Sequence, residues 1–169
     1  MGIPSIAVVV LALLGIGYYI LESSGATDPG QTLGPPSSGN PFIDALAAAI
    51  AHAEGYYLPL SRPNRNNNPG DITDTGVGEV GKDSGGLDIF PDSNTGWNAL
   101  YHKLSNIMNG GSNTYSPIMS ITNFAYTWTG GDIINGNGAT ANWASTVASK
   151  LTASGFPATT DQTLQEVSA

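Results

Sequence analysis

The stretch Pro41-Phe-Ile-Asp-Ala-Leu-Ala-Ala-Ala-Ile-Ala-His-Ala-Glu54 constrains this chain more than any other. It is alanine-rich, and Ile43, Ala47, Ile50 and Glu54 recur at helical spacing along one face. That face is otherwise apolar, so a helix built from it carries a carboxylate to the core or to the wall of a cleft. There the group loses hydration and stands near the negative end of the helix dipole. Both effects favour the protonated form. A Glu that holds its proton at the edge of a cavity suits general-acid cleavage of a glycosidic bond. The plain alternative is a surface Glu on a frayed last turn.

The 169 residues divide into a short globular domain and appendages. Residues 1–21 contain an uncharged apolar run, Ile3 to Leu21, close to the roughly 20 residues that cross a bilayer. Tyr18 and Tyr19 stand at its end, where aromatic rings favour the interface. No Lys or Arg precedes the run, which sets a retained anchor above a cleaved signal peptide. The expectation is a single transmembrane helix through residues 3–21. Orientation is weakly coded and leans toward a catalytic domain outside the cytoplasm. Residues 22–40 are rich in Gly, Pro, Ser and Thr and read as a flexible linker of ~19 residues with a reach of about 25 Å. Residues 41–156 are the expected domain, long enough to bury a core. Residues 157–169 read as a polar tail, disordered or loosely docked.

Composition excludes several functions. The net charge is -8 with only five Lys and Arg, which leaves no cationic footprint for nucleic acid. There is no cysteine, so neither disulfides nor thiolate catalysis can operate. His52 and His102 are isolated, and no ligand spacing implies a metal or any other cofactor. The Gly-rich segments lack the Lys-Ser/Thr of a phosphate loop, and Gly-x-Ser-x-Gly is absent.

Within the domain, the first helix is followed by a Gly/Asp/Asn-rich stretch, Ser61 to Asp88, with short strands expected near residues 70–73 and 86–90. A helix opening at Asn94-Thr95-Gly96 carries Trp97, Leu100, Tyr101, Leu104, Ile107 and Met108 and stops at Gly110-Gly111. Further helices are expected from Ser120, carrying Phe124 and Trp128, and from Thr140, carrying Trp143, Val147 and Leu151. The fold class read from this is α+β and mostly helical, with a small irregular β insert packed against the end of the first helix.

Three motifs then appear in order. They are Ala-His-Ala-Glu54-Gly-Tyr-Tyr, Arg65-Asn-Asn-Asn-Pro-Gly70-Asp-Ile, and Phe90-Pro-Asp-Ser-Asn-Thr-Gly-Trp97-Asn-Ala-Leu. Over roughly Phe42 to Leu151 the chain resembles phage and bacterial lytic transglycosylases of the lysozyme-like superfamily. The resemblance implies a lysozyme-like domain, a catalytic Glu54, and peptidoglycan glycan strands as partner and substrate. It also implies the chemistry. Glu54 protonates the oxygen joining MurNAc to GlcNAc, then deprotonates the C6 hydroxyl that closes on C1 to give a 1,6-anhydro sugar.

This sequence departs from the family pattern at Asp71, where Asn is usual. The change removes two hydrogen-bond donors. A carboxylate close to Glu54 would raise its pKa and would serve as a second carboxylate for hydrolysis. Otherwise Asp71 caps a turn and faces water. Asp74 and Asp88 are the other carboxylates in the insert. For substrate binding, Asn67 and Asn68 offer amides, although Asn66-Asn-Asn-Pro-Gly is itself a turn signal. Among the aromatics, which at helical spacing belong more often to a core, Tyr56 and Tyr126 are the candidates for stacking on a sugar face.

The expectation is a membrane-anchored muralytic enzyme. It would sit in the internal membrane of a virion for phage entry, or on the outer face of the host cytoplasmic membrane, with other virion or envelope proteins as further partners. The alternatives are a hydrolysing lysozyme and a non-catalytic glycan-binding or structural virion protein.

Overall fold

The computed structural model describes residues 35–131 and 138–169. The expected anchor over 3–21 and most of the linker lie outside these residues. No helix among those described is long and apolar enough to cross a membrane, which does not fit the expected single-pass membrane protein.

The first helix, α1 (Pro41–Ala53), is the centre of the domain. Asn40 Oδ1 accepts from the backbone N–H of Phe42 and Ile43 at its start. At its end the Tyr56 N–H donates to Ala51 O and the Gly55 N–H to His52 O, with Gly55 at φ 75°. This is a Schellman closure, and it needs the left-handed residue that glycine supplies. It makes Glu54 the C-cap. Leu46, Ala47, Ala49, Ile50 and Ala51 are wholly buried, so α1 is enclosed on most of its circumference. The alanines let neighbouring helices approach closely.

A short turn of helix follows as α2 (Arg62–Arg65), and then the insert. Only Gly81–Lys82 (β1) and Asp88–Ile89 (β2) pair, as an antiparallel hairpin of two residues per strand. The strand expected over residues 70–73 does not form. Side chains replace the ladder there. Asn68 Nδ2 donates to Ile72 O and Asp88 O at 2.8 and 2.9 Å, and Asn68 Oδ1 accepts from Ile72 N at 2.9 Å. Asp88, fully buried, accepts from Lys82 Nζ, Thr75 N and Asp74 N. A segment rich in Asn, Asp and Gly closes its backbone this way because short polar side chains compete with regular pairing.

Three longer helices complete the core: α3 (Ser93–Met108), α4 (Ile121–Trp128) and α5 (Ala139–Ala153). Asp92 caps α3 through Thr95 N at 2.8 Å, and Ser120 caps α4 through Asn123 N. Helix α1 packs against α5 and α3, and α4 against α5. Gly96 is required because a Cβ there would lie 1.7 Å from Asn67 O, so α3 seats directly on the insert backbone.

Two further expectations are corrected. The tail 157–169 is folded. Ser120 bridges Thr163, a capping box opens α6 (Leu164–Val167), and Leu164 and Val167 are buried in the core. The end of the linker is docked as well. Asp44 accepts from Ser37 Oγ and Ser38 N, and the Tyr101 hydroxyl donates to Pro36 O. With helices over about 47% of the described residues and a minimal hairpin, the fold is helical. The expected α+β lysozyme-like class does not describe it.

Candidate active site

Glu54 stands at the C-cap of α1, partly buried, where the chain turns away from the core. Trp143, from the opposite end of the domain sequence, reaches it across the α1–α5 interface. Its Nε1 donates to Glu54 Oε1 at 2.9 Å. Trp143 is itself buried and packs its ring 6.3 Å from that of Trp128, whose Nε1 donates to Gly70 O at 3.2 Å. Two indoles in tilted contact therefore join the helix that carries Glu54 to the Pro69-Gly70-Asp71 turn of the insert.

The electrostatics of Glu54 follow from this placement. Burial raises its pKa to about 7, and the negative charge of Asp71 adds to the rise. The Trp143 N–H opposes it most, with weaker opposition from the Trp128 indole and the Arg62 guanidinium. Glu54 Oε1 is engaged as acceptor of the Trp143 N–H. A carboxylic acid that holds a proton near neutrality and presents it from a fixed rotamer is competent for general-acid chemistry.

Asp71 does not face water. Its side chain is 8% exposed, Oδ2 pairs with Arg62 Nη2, and buried Oδ1 has no partner among the described residues. Burial raises its pKa above the ordinary carboxylate value and the charge of Asp83 adds to the rise, while the hydrogen bond and charge of Arg62 oppose it without reversing it. Of the insert carboxylates, it is Asp71 whose charge raises the Glu54 pKa. Asp74 and Asp88 both pair with Lys82, with Asp74 exposed and Asp88 sealed inside the hairpin.

The other candidates separate cleanly. Asn68 is fully buried with its amide spent on backbone, and Asn67 Nδ2 donates to Phe90 O at 3.1 Å. Both amide nitrogens clamp the backbone of the insert. Tyr56 is buried edge-on to Trp97, and its hydroxyl bonds Ser93 Oγ at 2.8 Å. Tyr126 is 45% exposed on α4. Sequence reasoning missed Trp143 as the partner of Glu54 and Arg62 as the partner of Asp71. Trp143 reads as an ordinary apolar position of α5, and no local signal marks its N–H.

A separate recess of about 220 Å³ between α3 and the 112–115 loop is lined in part by His102, Lys103 and Tyr115. It includes neither Glu54 nor Asp71. Among the described residues no group of three or more His, Asp or Glu is placed to hold a metal ion. Comparison with known proteins finds no family model, no curated protein and no solved structure that matches this chain.

Proposed function

We propose that this protein cleaves the MurNAc–GlcNAc glycosidic bond of peptidoglycan by lytic transglycosylation, with Glu54 as its general acid and base. The observation that supports it is the state of Glu54. It is a partly buried carboxyl with a pKa of about 7, held through one oxygen by Trp143. The resemblance of the three motifs to lytic transglycosylases supplies the substrate class. Glu54 protonates the bridging oxygen as the C1–O bond breaks through an oxocarbenium-like state. Once ionised, it takes the proton of the C6 hydroxyl that closes on C1. Tyr126 is the aromatic surface offered to a sugar ring.

The test is incubation of the full chain with purified peptidoglycan and identification of the products by mass. Anhydro-ended fragments support transglycosylation, and reducing ends support a hydrolase. No fragments at all, or full activity in Glu54→Gln, would overturn the reading.

A further inference from the structure

Lys103 is partly buried on α3, and its ammonium lies over two rings rather than beside a carboxylate. Nζ stands 5.5 Å from the centroid of Tyr115 and 5.5 Å from that of Trp128. Ring faces attract a cation, but they do not neutralise it. Among the described residues no carboxylate pairs with Lys103. Asp88 and Asp74, whose charges reach it, are both paired with Lys82. Burial holds the Lys103 ammonium below the ordinary lysine value, and those two charges oppose the effect without reversing it. In a chain of net charge -8, a lysine drawn partly out of water and left without a counter-ion marks a place for an anion.

Lys103 lines the recess of about 220 Å³ beside α3, and the walls of that recess are preformed. Ser112 Oγ accepts from the Thr114 and Tyr115 N–H at 3.2 and 3.1 Å, which folds the 112–115 loop. The Tyr115 ring is fixed in turn, 5.4 Å from that of Phe124 and 5.6 Å from that of Trp128. Gly111 lets the chain pass close over the end of α3, since a Cβ there would stand 2.2 Å from Asn106 Oδ1. The Asn106 amide and the Thr114 hydroxyl line the same recess, and neither side chain is hydrogen-bonded to another described residue. The volume falls below the roughly 300–1,000 Å³ of a drug-sized ligand pocket, so it suits a single small unit. Asp74 also lines it, and its charge disfavours a dianion such as phosphate. One cation with an amide, a hydroxyl and a ring face matches a monoanion that carries hydroxyl groups of its own.

We propose that this recess binds a hydroxylated carboxylic acid the size of one sugar-acid residue. Lys103 pairs with its carboxylate, and Asn106 and Thr114 hold its hydroxyls. The recess includes neither Glu54 nor Asp71, so the proposal does not rest on the activity assigned to Glu54.

The experiment titrates the full chain with methyl glucuronide, with methyl glucoside, which lacks the carboxylate, and with acetate, which lacks the hydroxyls. Tryptophan emission is the readout, because Trp128 lies under the Lys103 ammonium. Methyl glucuronide is expected to saturate with a Kd on the order of 1 mM. Methyl glucoside and acetate are each expected to bind about tenfold more weakly. Lys103→Met keeps the apolar stem, deletes the charge and should weaken methyl glucuronide about tenfold; Thr114→Ala, on the exposed loop, should weaken it about threefold. A second measurement on the wild type covers the case in which Lys103→Met does not fold. Methyl glucuronide should shield Lys103 from acetylation by acetic anhydride, mapped by mass, with Lys82 and Lys150 as internal references. Absence of saturable binding overturns the proposal, as does a folded Lys103→Met that binds like the wild type, or Lys103 labelling that the ligand leaves unchanged. Acetate binding as tightly as methyl glucuronide would show a bare anion site, and methyl glucoside doing so would show that Lys103 does not read the carboxylate; either result overturns it. The Glu54 reading stands or falls separately, on the peptidoglycan products of the wild type and Glu54→Gln.

Discussion

Trp143 Nε1 donates to Glu54 Oε1 at 2.9 Å across 89 residues of sequence. This contact joins the first long helix of the domain to the last. It also exerts the strongest downward pull on a pKa that burial raises to about 7.

Glu54 should cost the protein stability at alkaline pH. Its folded pKa of about 7 lies above the ordinary 4.5, so the folded state binds the proton more tightly than the unfolded chain does. The stability this gives is full below about pH 4.5 and is lost as pH rises to about 7, on the order of 3 kcal/mol. Glu54→Gln removes the ionisation while keeping an acceptor for Trp143. It should melt higher than the wild type at pH 8 and close to it at pH 4. Thermal melts at both pH values check this, and equal differences at the two would show that Glu54 is not desolvated.

Trp143→Phe keeps a ring against Trp128 and deletes the N–H. That N–H lowers the Glu54 pKa, so its loss should move the alkaline limb of the activity profile upward. Loss of orientation should reduce kcat by roughly tenfold. A pH–rate profile identical to the wild type would remove Trp143 from the site.

Asn68→Ala strips three hydrogen bonds from buried backbone groups around the insert. The expected loss is on the order of 3 kcal/mol or more, visible as a lower urea midpoint. An unchanged midpoint with a raised KM for glycan would return Asn68 to the binding residues.

Leu164→Ala opens a cavity where the C-terminal turn enters the core, since Leu164 is wholly buried. A destabilisation of about 2–5 kcal/mol is expected from chemical denaturation. A change within error would mean that residues 157–169 are an appendage after all.

Tyr126→Ala removes an exposed ring and should leave melting unchanged. If the ring stacks on a sugar, KM should rise about tenfold, a loss near 1.4 kcal/mol of binding. Tyr56→Phe is the control: it should lower stability by roughly 1 kcal/mol through the lost Ser93 bond and leave KM alone.

Much of the helical framework was legible because it rests on local patterns. Apolar spacing along α1, α3, α4 and α5 locates four helices closely. The insert was less legible. Turn residues mark where regular structure is broken, but not which side chains will take over the backbone hydrogen bonds, so a strand was expected where Asn68 acts. The tail was misread because its polar composition hides two buried residues, Leu164 and Val167, spaced one turn apart.

By itself the sequence determined that Glu54 ends an apolar helix, because periodicity and a following glycine are properties of neighbouring residues. Only the tertiary structure decided what that carboxyl is. Desolvation, the Trp143 donor and the charge of Asp71 come from residues 17 to 89 positions away, and electrostatic effects depend on distance in space rather than along the chain. The same holds for Asp71, which in sequence could be a turn cap facing water and which the fold encloses with one oxygen unmatched.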